Sequence, residues 1–114
     1  MITLNAGDAT IIYTESESLI VFEGSMRLPN MKEYSVISDF LKEATVTSVE
    51  QLTLDFKSLE YLNSSGITTL SLFILNCKQE GNPQITVLGN QSIPWQQKSI
   101  SNFKKLWNDV EIII

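Results

Sequence analysis

The apolar residues of this chain follow two different spacings, and each change of spacing marks the end of an element. Residues 9–14 form a β-rich run around Ile11 and Tyr13, and the polar residues 15–18 that follow predict a hairpin turn. Residues 19–22 are continuously apolar, which is typical of a strand covered on both faces. The chain is therefore expected to open with two antiparallel strands.

The spacing then becomes helical. From residue 31 to about residue 44, apolar side chains recur at three- and four-residue steps, as on one face of an amphipathic helix. Strands and helices alternate from there to the end of the chain. The predicted strands cover residues 52–56, 85–88 and 110–114, and the predicted helices cover residues 31–44, 64–79 and 94–107.

This order, ββαβαβαβ, predicts a single α/β domain over residues 1–114. Strands separated by single helices favour parallel neighbours joined by right-handed crossovers, and the opening hairpin adds an antiparallel strand. The expected architecture is a mixed β-sheet flanked by three helices.

Composition and charge exclude several classes of function. The chain has 114 residues, a formal net charge of −5 and eight scattered basic residues, so no surface for nucleic acid is expected. It has no histidine, no glycine-rich phosphate loop and no cluster of metal ligands, so we expect no enzyme activity, no cofactor and no metal site. The single cysteine, Cys77, lies in an apolar stretch that predicts a buried thiol. No signal peptide or membrane-spanning stretch is apparent, which predicts a cytoplasmic protein without a membrane partner.

One short segment carries the most specific information. After the third predicted strand and a short connection, Asn63-Ser64-Ser65-Gly66 opens an apolar helix. One interpretation is that Asn63 or Ser64 only caps this helix by accepting bonds from free backbone N–H groups. The other is that Ser64 is phosphorylated, with Ser65 and Thr68 as alternative acceptors, because the positive end of the helix dipole tolerates a phosphate.

The order of elements and this serine motif resemble the STAS domain, the family named for sulfate transporters and anti-sigma-factor antagonists. In that family a motif close to Asp-Ser-Ser/Thr-Gly-Leu/Ile starts a helix, and its first serine is the regulatory phosphorylation site in the antagonist branch. The matching residues here are 63–67, so the resemblance implies that Ser64 is the phosphoacceptor. It also implies a partner-switching circuit: the unphosphorylated domain binds an anti-sigma-type protein that is also a serine kinase, and a PP2C-like phosphatase reverses the modification.

Two positions differ from the family pattern. Asn63 stands where the family has an aspartate, and Arg27 stands in a stretch where the family often has an acidic residue. These changes predict a divergent branch with an altered partner surface. Leu72 lies off the apolar stripe of the serine helix and is the expected exposed contact point for a partner. The oligomeric state stays open, because the apolar strand that includes residues 112–114 can pair with a partner or with another copy.

Two other functions fit the size of the chain. A constitutive scaffold domain of the same fold would use the serines only as caps. A two-component receiver would need an acidic pair at the end of its first strand, and residues 19–24 offer only Glu23, so the receiver is rejected.

Overall fold

Six strands form one sheet in the order in which they occur along the chain. The computed structural model describes all residues from Met1 to Ile114. Its strands are β1 (Ile2–Ala6), β2 (Ala9–Thr14), β3 (Leu19–Met26), β4 (Gln51–Leu62), β5 (Gln84–Leu88) and β6 (Glu111–Ile113). Its helices are α1 (Met31–Thr47), α2 (Ser64–Glu80) and α3 (Pro94–Leu106). Because β1 to β3 pair antiparallel and β3 to β6 pair parallel, the sheet is mixed, as the sequence predicts.

The amino-terminal part has one strand more than predicted. β1 pairs with β2 through a two-residue turn, in which Gly7 has a φ of +62° at the first position, where such turns favour glycine. Only Ala6 of β1 is fully buried, so the apolar alternation of this short edge strand gave too weak a signal. The predicted turn at residues 15–18 is confirmed: it is a 3-10 turn that ends at Ser18 with a φ of +49°.

All three helices lie on the same face of the sheet. Consecutive parallel strands that are neighbours and are joined by right-handed crossovers place their helices on one side, and α2 packs between α1 and α3. The fully buried strand side chains alternate with partly exposed ones, such as Leu19 and Val21 of β3. The prediction that residues 19–22 are covered on both faces is therefore wrong, because the second face of the sheet carries no helix.

The core fills the space between the sheet and the helix layer. It is one cluster of 26 buried apolar residues, in which the ring of Phe56 packs against Phe22 and Phe103 with centroids 4.7 and 6.3 Å apart. One continuous core is what a single domain of this size forms. No helix is both long enough and apolar enough to span a membrane.

β4 has 12 residues and leads directly into α2, so the predicted end of this strand near Phe56 is wrong. Its buried side chains alternate up to Phe56 and then recur at every third residue, at Leu59 and Leu62. The pairing of β4 with β3 shifts register twice in this part, as happens where β-bulges insert an extra residue into one strand. The bulges interrupt the period of two, which is why the sequence pattern loses the strand there.

The first turn of α3 supports the bulged part of β4. β5 pairs with β4 only as far as Asp55, so the buried carbonyls beyond it need other donors. The buried side chain of Gln96 donates to the carbonyls of Phe56 and Leu59 at 2.6 and 3.1 Å, and the Trp95 indole donates to Leu59 at 2.8 Å. These bonds fix the end of β4 and, through it, the start of α2.

Candidate functional site

Ser64 is the first residue of α2, and its side chain is exposed. The capping residue is Asn63, whose side-chain oxygen accepts a bond from the Gly66 N–H at 3.0 Å. The capping interpretation of the motif is therefore correct for Asn63. Since the cap is formed by its neighbour, the Ser64 hydroxyl has no structural task at the helix terminus.

The side-chain amide of Asn63 joins three parts of the chain. Its oxygen accepts the bond from Gly66 and a second one from the Tyr34 hydroxyl of α1 at 2.7 Å. Its nitrogen donates to the Leu28 carbonyl, in the loop before α1, at 2.8 Å. A carboxylate would accept both bonds but has no hydrogen to donate. This contact to Leu28 gives a physical reason for an asparagine where the STAS pattern has an aspartate.

Gly66 allows α1 and α2 to approach closely at this point. A Cβ atom at Gly66 would lie 2.8 Å from the Tyr34 hydroxyl oxygen and would collide with the Leu62 side chain. Burial raises the pKa of Tyr34 above its usual 10.0. Tyr34 is therefore protonated at neutral pH and available as the donor to Asn63.

The other hydroxyls of the first two turns are less free than that of Ser64. Ser65 is half-buried, whereas Thr68 is exposed and donates to the Ser64 carbonyl at 3.0 Å. Thr69 is buried and donates to the Ser65 carbonyl at 2.8 Å. The structure thus leaves Ser64 as the exposed hydroxyl at the tip of α2, with Thr68 one turn further along.

A cation and an aromatic ring lie beside the start of α2. The Arg27 guanidinium sits over the Tyr61 ring, 5.2 Å from its centroid, a contact worth about 0.5–1 kcal/mol at an exposed position. The backbone N–H of Asn63 donates to the Met26 carbonyl at 3.2 Å. This bond ties the residue before Arg27 to the residue before Ser64, so the structure brings both predicted site residues to one end of the sheet.

The groove between α1 and α2 exposes a few apolar side chains among polar ones. Leu72 is 53% exposed and stands eight residues after Ser64, about 12 Å along the helix and roughly 80° around it. Two cavities of about 240 and 210 Å³ lie next to it in the groove, and the first is also lined by Met31, which is 42% exposed. We call the exposed set Arg27, Met31, Tyr61, Ser64 and Leu72 the Ser64 surface.

The chain has few other side chains that could bind a metal or react covalently. No group of three or more carboxylate or thiol side chains is placed to hold a metal ion. Cys77 is buried, as the sequence predicts, and burial raises the pKa of its thiol to about 11. This thiol is therefore protonated and unreactive at neutral pH.

Three residues of the site region were missed from the sequence. Tyr34 belongs to the predicted apolar stripe of α1, but nothing in the pattern shows that its hydroxyl bonds to Asn63. Tyr61 and Gln96 follow no periodic signal, because their roles depend on the bulged part of β4 and on the contact between distant elements.

Comparison with known proteins identifies the fold. A scan against protein-family models matches none of them, and a search of the curated proteins also finds no match. Among solved structures, the chain is similar to SiaC of Pseudomonas aeruginosa, with a TM-score of 0.70 and 18% identity over 100% of this chain and 98% of that one. Apo-SiaC from the same organism gives a TM-score of 0.69 and 15% identity over 100% of both chains.

A third similar structure is that of the P. aeruginosa diguanylate cyclase SiaD in complex with its activator SiaC. The matched chain gives a TM-score of 0.71 and 16% identity, over 99% of this chain and 98% of that one. At these identities the likeness establishes the fold. The chain therefore has the fold of SiaC, and the STAS-like α/β architecture predicted from its sequence is confirmed.

Proposed function

We propose that this chain is a non-enzymatic regulator that binds a partner protein through the Ser64 surface and loses that partner when Ser64 is phosphorylated. The observation that carries the proposal is the exposed Ser64 hydroxyl on the first turn of α2, next to a cap that Asn63 forms alone. A kinase can reach this hydroxyl without opening the core. The fold, shared along the whole chain with a protein described as an activator, supports a regulatory role.

Phosphorylation is expected to leave the free domain folded. The backbone N–H groups of Ser64 and Ser65 are at the start of α2, where no preceding helical turn supplies acceptors. These donors and the helix dipole favour a nearby phosphate by about 0.3–1 kcal/mol. The modification is therefore neutral or slightly stabilising in isolation.

The same phosphate is expected to be costly inside a complex. It adds a charge of about −1.5 to −2 to the Ser64 surface, whose exposed apolar side chains, Met31 and Leu72, a partner would cover. Burying an unpaired charge costs several kcal/mol, and about 3 kcal/mol corresponds to roughly a hundredfold loss of affinity. The penalty in the complex thus exceeds the gain in the free domain, which is the condition for a binding switch.

The expected partners are a serine kinase of the anti-sigma type, which the unphosphorylated chain binds, and a PP2C-like phosphatase that restores it. The structural comparison adds a second class of target. Because SiaC is the activator of the diguanylate cyclase SiaD, a diguanylate cyclase is a further candidate partner for this chain.

Affinity capture from the native cell tests the switch. Ser64→Ala and Ser64→Asp baits are compared by mass spectrometry, and Ser101→Asp, an exposed serine of α3, controls for the added charge. We expect a kinase or cyclase on the Ser64→Ala and Ser101→Asp baits and its depletion on Ser64→Asp. Equal capture by all three baits would contradict the proposed switch.

Phosphate-affinity gels of protein from its native cell test the modification itself. A shifted band that disappears in Ser64→Ala is expected. A single unshifted band under all growth conditions would instead support the constitutive scaffold, in which this fold binds its partner without phosphorylation.

Arg27 tests whether the altered surface takes part in binding. Arg27→Asp restores the acidic character of the STAS pattern at this exposed position. We expect this substitution to lower the affinity for the captured partner at least tenfold. Unchanged affinity for the partner would show that Arg27 lies outside the interface.

A further inference from the structure

The opposite end of the molecule carries a second surface with the features of a binding groove. β1 is an edge strand that pairs only with β2, so its outer side is unpaired. Between this edge and the last turns of α1 lies a cavity of about 210 Å³, lined by Ile2, Tyr13, Glu15, Phe40, Glu43, Ala44 and Thr47. Neither the predicted switch nor the STAS resemblance involves these residues.

The backbone of β1 is oriented to accept another strand. In the two-residue hairpin, the closing pair Ala6 and Ala9 exchanges hydrogen bonds, and bonded pairs then alternate with non-bonded ones. Thr3 and Asn5 are the non-bonded positions, so their N–H and C=O groups point away from β2. β1 spans five residues, about 17 Å, which is enough for an added strand of similar length.

The cavity next to β1 has the size and lining for an apolar side chain. Ile2 is 60% exposed, and Phe40 is only partly buried on the core. The floor is rigid, because the Tyr13 hydroxyl bonds to the Thr47 hydroxyl at 2.7 Å and to the Ala44 carbonyl at 3.3 Å. A strand that pairs with β1 would turn every second side chain toward this cavity.

The charges of the cavity define the partner. Glu15 and Glu43 are exposed, and no basic residue is among the lining side chains. The chain as a whole has a net charge of −5, and β1 itself has no lysine or arginine to offer a second copy. Charge complementarity therefore favours a different protein over self-association.

We propose that the β1 edge and this cavity bind an extended segment of a partner protein, in which a lysine or arginine stands two positions from an apolar residue, so that both face the cavity. The segment adds a seventh strand to the sheet by pairing with Thr3 and Asn5, places an apolar side chain in the cavity, and pairs the cation on the same face of the strand with Glu15 or Glu43. This is recognition by strand addition, in which the backbone supplies affinity and the pocket supplies specificity.

This surface is independent of the Ser64 surface. The strand register aligns Ile2 with Tyr13, Ile20 and Leu54 across the sheet, whereas Ser64 follows the end of β4. The eight residue-to-residue steps from Leu54 to Leu62 span about 25 Å. The chain would therefore hold one partner constantly at β1 and a second one at Ser64 under the control of phosphorylation.

Fluorescence anisotropy of the full chain with a labelled peptide tests the proposal. The probe is a ten-residue peptide in which valine and lysine alternate at every second position with threonine between them, so that both face the cavity, and its counterpart has glutamate in place of lysine. We expect saturable binding of the lysine peptide only. Glu43→Lys should weaken it about tenfold, whereas Glu111→Lys, the same change on the opposite edge strand, and Ser64→Asp should leave it unchanged.

Amide NMR spectra of the complex locate the peptide. Slowed hydrogen exchange at Thr3 and Asn5 is expected, and a peptide with N-methylated backbone, which cannot pair with the edge, should not bind. Equal affinity for Glu43→Lys, or protection confined to other residues, would overturn the proposal. It would also be overturned if the chain alone sedimented as a dimer that Thr3→Pro dissociates, because the edge would then be occupied by a second copy.

Discussion

The hydrogen bond between Tyr34 and Asn63 determines how the tip of α2 is held against α1, and a double-mutant cycle measures it directly. Asn63→Ala removes the helix cap, which costs about 1 kcal/mol, and leaves the Tyr34 hydroxyl unsatisfied. Tyr34 is fully buried, so this orphaned group costs a further 1–3 kcal/mol or so. The single substitution is therefore expected to lower the free energy of unfolding by about 2–4 kcal/mol.

Tyr34→Phe alone has a smaller effect. Asn63 keeps its bonds to Gly66 and to the Leu28 carbonyl, so only one hydrogen bond is lost, at a cost of about 1 kcal/mol. In the Asn63→Ala background, however, Tyr34→Phe removes an orphaned hydroxyl. There it should be neutral or stabilising, which gives a coupling energy of about 1–3 kcal/mol between the two sites.

Urea unfolding followed by circular dichroism supplies the four free energies of the cycle. Tyr13→Phe is the matched control, because the Tyr13 hydroxyl bonds near the far end of α1, to Ala44 and Thr47. Its effect should add to that of Asn63→Ala within about 0.5 kcal/mol. If the effects of Tyr34→Phe and Asn63→Ala also add within this margin, the 2.7 Å hydrogen bond between the two side chains does not contribute to stability. That result would refute the proposed role of this bond at the tip of α2.

Three substitutions of buried residues test the packing elsewhere in the domain. Gly66→Ala should lower the free energy of unfolding in urea, because overpacking against Tyr34 costs about 1–3 kcal/mol and exceeds the gain in helix propensity; an unchanged midpoint would contradict the close approach. Gln96→Met, similar in volume, should cost about 2–4 kcal/mol, since the Phe56 carbonyl loses its donor and the Asn90 N–H loses its acceptor. Equal stability would show that water replaces the amide. Burial raises the pKa of the Cys77 thiol from 9.0 to about 11, so the unfolded chain loses this proton at lower pH than the folded one, and the free energy of unfolding should fall between pH 9 and 11 by up to about 2–3 kcal/mol. Cys77→Ala should flatten this dependence on pH, and identical slopes for the two proteins would refute the role of the thiol.

The sequence predicts those parts of the fold that depend on local spacing. The stripe over residues 31–44, the serine helix and the short strand at residues 85–88 all carry an uninterrupted period, and each forms within a few residues of its predicted bounds. Burial of Cys77 follows from the same apolar stripe. These features depend only on which neighbours a side chain has three or four residues away, which a single chain already contains.

The predictions fail where the pattern is short or interrupted. β1 offers a period of two over only five residues, and the bulges of β4 shift the period after Phe56. The open face of the sheet escaped prediction as well, because the apolar run at residues 19–22 contains buried and partly exposed side chains alike. Local pattern does not show which face a helix layer will cover.

The serine motif illustrates the division between sequence and tertiary structure. The residues 63–66 by themselves establish a helix start with a hydroxyl near its positive end, because side-chain chemistry and helix geometry are local. Only the tertiary structure decided that Asn63 forms the cap and that Ser64 faces solvent, because that depends on the Tyr34 hydroxyl and the Leu28 carbonyl, about 30 residues away. Contacts at such a separation depend on how the helices and strands pack, which no local pattern specifies.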